Sequence, residues 1–197
     1  SGVLISCSDD DNPVGPDPDP DPDPTEELHP YADDIVENGV ILSEPIEGDR
    51  TLSADSVYYL DGYVFVESGT LTIEPGTVIM AFEEPSSVAE GNETSLIITR
   101  EAQIDAEGTA EDPIIFTSEL DGEPFGESLI LNQTNSKLWA GLIILGKAPI
   151  DSEGANEVQI EGIPDGEARA LYGGDDPDHS SGVLKYVSIR FSGAEIG

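Results

Sequence analysis

The densest set of chemically versatile side chains in the sequence is Asp175-Asp176-Pro177-Asp178-His179. Two carboxylates a few ångström apart can protonate a glycosidic oxygen and activate water, the acid and base work of glycoside hydrolysis. The same three aspartates, with neighbouring backbone carbonyls, can contribute several of the six to eight oxygens that Ca²⁺ requires. Gly173-Gly174 before them and Ser180-Ser181-Gly182 after them mark a loop, which fixes catalytic geometry poorly. With 42 acidic residues in the chain, adjacent carboxylates also arise by chance, and a solvated acidic turn explains the stretch equally well. Proton abstraction beside a uronate needs Lys or Arg. Lys185 and Arg190 lie close in sequence, but on one strand their odd spacing puts them on opposite faces. Trp139, the only tryptophan, offers an indole face to a sugar ring, although a lone Trp near Gly141 reads more simply as packing. His29 and His179 are far apart and show no zinc-ligand spacing. Gly69, Gly76 and Gly108 read as bends and not as a phosphate cradle.

These residues must be positioned by short strands. Tyr63 to Phe82 contains three apolar runs, Val64-Phe65-Val66, Leu71-Thr72-Ile73 and Val78-Ile79-Met80, separated by Gly69 and by Pro75-Gly76. Each run is long enough for a strand and too short for a helix. Gly accepts positive φ and Pro fixes φ, so the intervening residues redirect the backbone within a few positions. Strand, bend, strand, bend, strand is one coil of a parallel β-solenoid. A shift of 33 residues places Ile97 on Val64, Ile104 on Leu71 and Ala106 on Ile73, and Ile114-Ile115-Phe116 takes the place of Val78-Ile79-Met80. A coil cannot bury its apolar face alone, so stacked neighbours must share a core. A β-sandwich is the alternative, but its hairpins favour two-residue Asn-Gly or Asp-Gly turns, and none links these runs.

Upstream, Val40-Ile41-Leu42 is expected as a capping strand over the open end of the solenoid, with Thr51 to Leu60 leading into the first coil. Downstream, Glu119 to Lys137 is a polar excursion, and Leu138 to Leu145 returns to the barrel. Ala148-Pro149-Ile150 and Val158-Gln159-Ile160 are expected to complete that coil. A second loop runs from Glu161 to Gly182. Val183 to Phe191 is expected as one strand with Val187, Ile189 and Phe191 inward.

Forty-two acidic against seven basic residues give a formal charge of −35, which excludes nucleic acid as a partner because phosphates would be repelled. Cations, cationic proteins and neutral sugars remain, and the charge also serves solubility. The single cysteine, Cys7, permits no intrachain disulfide. No apolar run approaches the roughly 18 residues of a spanning helix. Residues 8–38 form an acidic, Pro-rich linker containing the repeat Asp17 to Pro24, DPDPDPDP. Proline favours the extended polyproline II form and alternate carboxylates repel one another. From Asn12 to Thr25 such a disordered but semi-rigid stalk would reach about 40 Å at about 3.1 Å per residue.

The stretch Gly2-Val3-Leu4-Ile5-Ser6-Cys7, an apolar run and a small residue before the thiol, resembles the lipobox of bacterial lipoproteins. The resemblance implies that residues 1–7 are the remnant of a signal peptide and that Cys7 carries lipid. The following Ser8-Asp9-Asp10-Asp11 resembles the acidic surface-export signal of Bacteroidetes lipoproteins, although it can equally be the start of the linker. From Leu52 to Gly197, the phrases LSADSVYYLDGYVFVESGTLTIEPGTVIMA, GTAEDPIIFTSELD and WAGLIILGKAPI resemble a family of large Bacteroidetes surface lipoproteins. That resemblance implies an all-β, right-handed parallel β-helix over residues 39–197, incomplete at its C-terminus, on the outer face of the bacterial outer membrane. It implies no catalytic residue. Two functions stay open: a non-catalytic adhesion or binding module for a glycan or another surface protein, and the N-terminal part of a polysaccharide-degrading enzyme. The membrane is met only through the lipid on Cys7, and calcium at Asp175, Asp176 and Asp178 is the one cofactor the residues suggest.

Overall fold

The computed structural model describes residues 39–83, 85, 94–121, 131, 134–151 and 154–194. The expected lipid site at Cys7 and the acidic linker lie outside the described residues. Within them the chain winds through three faces in turn. The first rung comprises β1 (Gly39–Leu42), a single bridging residue, Ile46, and β2 (Arg50–Leu52). The second comprises β3 (Val57–Leu60), β4 (Tyr63–Val66) and β5 (Gly69–Ile73), and the third β6 (Val78–Ala81), β7 (Ser95–Ile98) and β8 (Ala102–Glu107). The fourth begins with β9 (Ile114–Ser118) and β10 (Gly141–Ile144). It closes with β13 (Gly182–Lys185) after an excursion that carries β11 (Val158–Gln159) and β12 (Leu171–Tyr172). β14 (Val187–Ile189) starts a further turn of the coil.

Stacking the rungs gives three parallel sheets. Their orders are β1-β3-β6-β9-β14, β4-β7-β10 and β2-β5-β8-β13. Every strand pair in them is parallel, as a solenoid requires and a hairpin-linked sandwich does not allow. The fold is a parallel β-helix. The one antiparallel pair among the described strands, β11 with β12, belongs to the excursion.

Alternation along each strand decides what fills the interior. In β8 the pattern is strict: Ala102, Ile104 and Ala106 are buried while Gln103, Asp105 and Glu107 are exposed. Leu52, Leu71, Ile73, Ile104 and Ala106 stack down one wall, Val64, Val66, Leu96 and Ile98 down the second, and Tyr58, Leu60, Ile79 and Phe116 down the third. The segment expected to cover the end does so as a rung in register, with Val40 beside Tyr58 and Leu42 beside Leu60. The two ends of the column differ. Leu42, Ile46 and Leu52 of the first rung are 3%, 2% and 0% exposed, whereas Ile144, Leu184 and Ile189 at the other end are 38%, 44% and 44% exposed. Those three align with the core positions Ile98, Ala106 and Phe116, so the last rung leaves inward side chains uncovered.

Several sequence expectations shift by one residue or one rung. The 33-residue spacing holds between β5 and β8, where Leu71 meets Ile104 and Ile73 meets Ala106. Between β4 and β7, Val64 meets Leu96 and not Ile97, because the turn Thr99-Arg100-Glu101 is one residue longer than Glu67-Ser68. Val78 likewise meets Ile115 and not Ile114. The coil expected to close with Val158-Gln159-Ile160 closes instead with β13. Val183 to Phe191 is not one strand: Tyr186 adopts φ 49° and sends the chain from one sheet to the next. The bend is secured from the rung above, where the Ile114 N–H donates to the Tyr186 carbonyl at 3.0 Å and the Gly108 N–H to that of Lys185 at 2.8 Å.

Gly69 opens β5 at φ 74°, and a Cβ there would lie 2.4 Å from the Gly48 carbonyl carbon on the rung above. Left-handed strain and a backbone collision coincide, and neither can relax without separating two rungs. Gly69→Ala is expected to cost at least about 2 kcal/mol, measured as a lowered denaturant midpoint. An unchanged midpoint would show that this turn is not held as described.

Candidate functional site

The acidic stretch singled out from sequence lies at the end of the excursion, on the surface. Asp175, Asp176 and Asp178 are exposed. The Asp176 carboxylate accepts a hydrogen bond from the Asp178 N–H at 3.1 Å, and the Asp176 N–H donates to the Lys147 carbonyl at 3.1 Å. The segment is thus an Asx-stabilised turn pinned to the chain just after β10. Among the described residues no three carboxylate, imidazole or thiol groups gather closely enough to hold a metal ion. His179 packs towards Gly146, with its Nε2 buried and without a hydrogen-bond partner.

The other residues given a chemical reading are occupied. Trp139 is fully buried in the main core, its indole N–H donating to the Arg190 carbonyl at 2.7 Å, so it is no sugar platform. Lys185 and Arg190 sit on either side of the Tyr186 bend and not on two faces of one strand. Lys185 lies 3.6 Å from Glu107, and Arg190 lies 3.4 Å from Asp121.

Buried carboxylates occur where the sequence reading placed only the edge of a polar loop. Asp61, Glu119 and Asp121 follow the strands of the first sheet and are all buried. Glu119 accepts from the Glu83 N–H at 2.9 Å, and Asp121 accepts from the Thr117 hydroxyl at 2.7 Å as well as facing Arg190. Beside them, burial and then the Glu119 charge push the Tyr59 phenol well above its ordinary value. These bonds tie the corners after the strands of this sheet to one another. The sequence signal was faint: an acid directly after two strands of one sheet, Asp61 after β3 and Glu119 after β9.

The outward side of the second sheet carries a separate apolar cluster. Phe65, Ile97 and Leu145 project from β4, β7 and the end of β10, and the excursion covers them with Ile163 and Ala170. Arg169 locks this cover. Its guanidinium lies 4.1 Å over the Phe65 ring, and it donates to Glu67 at 2.9 Å and to both oxygens of Glu167 at 2.8 and 2.6 Å. The Arg169 hydrogen bonds hold the Glu167 carboxyl below its ordinary value, and the same bonds raise Arg169. Arg100 ties down the far side, donating to Glu157 at 2.6 Å and to the Gly173 carbonyl at 2.7 Å.

Between this cover and β10 runs an open cleft of about 540 Å³. Ile143, Leu145 and Ile160 form its apolar part, and Gln159, Glu161 and Tyr172 its polar part. Gln159 is spent on its own turn: its amide donates to the Ile163 and Pro164 carbonyls at 3.0 Å, and its oxygen accepts from the Gly166 N–H. The size falls in the usual range for small-ligand sites, and a greasy floor with a few oriented polar groups is the usual construction. A half-buried tyrosine beside aliphatic groups suits the C–H face of a sugar ring. Sequence reasoning missed this cleft because Val158-Gln159-Ile160 read as a coil strand.

A family model described as a pectate-lyase-like β-helix domain matches residues 44–197. No curated protein and no solved structure matches the chain.

Removing the guanidinium should loosen the cover and leave the coils intact. Arg169→Met is expected to weaken docking of residues 146–181 by about 1–2 kcal/mol, seen as earlier proteolysis there with unchanged amide exchange in β4, β5 and β8. The pH dependence follows from Glu167, whose folded value is depressed. Its stabilisation is complete above the ordinary glutamate value of about 4.3 and is lost as the pH falls through the lower folded value. Protection of β11 and β12 should therefore stay level from about pH 7 to about pH 5 and drop only below about pH 4. Loss beginning near neutrality would mean that another group controls the cover.

Proposed function

The chain belongs to the pectate-lyase-like β-helix family, and from that premise we propose that it is a lipid-anchored, surface-displayed module that binds glycans. The observation that carries this reading is the cleft along β10, where Tyr172 and Glu161 stand beside an aliphatic floor held by the Arg169 lock. A rigid parallel sheet beneath a pinned cover suits binding, because the cover's cost of ordering is met before the ligand arrives. Display at the outer face of a bacterial outer membrane, in the manner of Bacteroidetes surface lipoproteins, is supported by the apolar run before Cys7 and by the Asp-Pro stalk, which would hold the β-helix clear of the bilayer.

A second reading, a part of a polysaccharide-degrading enzyme, draws its support from the family's description. The same experiment separates the two. Titrating the protein with a panel of uncharged, amino-containing and acidic oligosaccharides should give binding without new reducing ends, and accumulation of products would favour the enzyme. Tyr172→Ala should weaken binding about tenfold, the equivalent of losing one aromatic contact of about 1.4 kcal/mol. Equal affinity in this variant would remove the cleft from the proposal. For the anchor, cells expressing the precursor should label the protein with radioactive palmitate, and Cys7→Ser should abolish the label. Persistent labelling of that variant would place the lipid elsewhere.

A further inference from the structure

We infer that the cleft along β10 takes an uncharged glycan and rejects polyuronates, a specificity that rests on the glycan-binding reading above. A uronate chain carries one carboxylate per sugar, and a site that grips it must offer Lys, Arg or a bridging metal. The chain has only seven Lys and Arg residues against 42 acids, and all seven lie among the described residues.

None of the seven lines the cleft, and among the described residues Glu161 is the one charged side chain that does. The two cations closest to it along the chain and its hydrogen bonds are already committed. Lys147 follows the floor residues Leu145 and Gly146, but its ammonium sits 2.6 Å from Glu101, whose carboxyl this bond holds below its ordinary value. Arg100 reaches the carbonyl of Gly173, next to Tyr172, but it sits 2.6 Å from Glu157. Arg169 lies between Glu67 and Glu167, a net negative group. Lys185 and Arg190 face Glu107 and Asp121, Lys137 has its own partner, and Arg50 stands on first-rung strand β2, at the opposite edge of its sheet from β13.

A uronate entering the cleft would thus meet Glu161, the field of a chain with formal charge −35, and no cation that could turn to it without abandoning a carboxylate. An uncharged pyranose loses nothing to that field. It can set its C–H face on Tyr172 and the aliphatic floor and its hydroxyls on Glu161, which accepts hydrogen bonds without needing charge on the ligand.

The test uses the full chain in buffer containing EDTA, so that no divalent ion can bridge carboxylates. Calorimetric titrations compare galactan-, mannan- and xylan-derived oligosaccharides with oligogalacturonate of matched length. At least one uncharged oligosaccharide is expected to bind, with affinity changing less than about twofold between low and high salt, because no ion pair is screened, and with the loss in Tyr172→Ala described above. Oligogalacturonate is expected to bind at least tenfold more weakly, and Glu161→Lys is expected to narrow that gap. Oligogalacturonate binding wild type as tightly as the best uncharged ligand, with the same sensitivity to Tyr172→Ala, would overturn the inference and leave the glycan-binding reading standing. Silence across the whole panel would overturn that reading, and this inference with it.

Discussion

An inward side chain in this coil is kept dry by the rungs stacked against it in register. That mutual cover is the constraint on which the rest of the structure depends. Ile73 is buried because it sits between Leu52 of one rung and Ala106 of the next, while Leu184, in the same column beside Ala106, remains 44% exposed. Both are branched aliphatic side chains. Ile73 has a paired strand on each side and Leu184 on one, in a fold where each repeat touches just the repeats beside it.

The same constraint decides where variation is tolerated. A strand cannot lengthen without displacing its stack, so extra residues are expelled at the corners. The excursion between β10 and β13, residues 145–181, leaves and rejoins one corner, and β13 still pairs with β8 as though nothing had intervened. The detour then folds back on the outward side of the second sheet and finds apolar side chains there, Phe65 and Ile97 among them. An outward face bearing Phe and Ile would be a liability on a bare solenoid. Covered by Ile163 and Ala170 it becomes a second, smaller core, and the cleft is the seam between the two.

Charge enters as a second layer of organisation. With so many acids, basic side chains serve as clasps: Arg169 holds the excursion to β4, Arg100 and Lys147 hold its ends, and Arg190 ties the last corner to buried Asp121. Exposed pairs of this kind are worth little singly. Their greater consequence is that they leave a surface with hardly any positive charge to offer a partner, so recognition has to proceed through apolar contact and neutral hydrogen bonding.

The sequence alone determined the architecture. Short apolar runs at a near-constant spacing, separated by Gly and Pro, can bury their faces only by stacking, and the alternation in Ala102 to Glu107 states which side is inward. What it left undecided was register and the identity of the closing strand. The run at Val158 was expected to complete the fourth rung and the run at Val183 does so instead, because periodicity carries no information on which apolar run docks beside β8. The choice belongs to contacts remote in sequence: Gly182, whose φ of 121° and missing Cβ let it lie against the Ile104 carbonyl, fits the wall beside β8, and Val158–Gln159 finds Leu171–Tyr172 instead. The cleft follows from that outcome. Its residues come from segments joined only when the excursion docks, so tertiary packing had to bring Tyr172 beside Ile143, whereas the stacked coil was already dictated by each strand's own alternation.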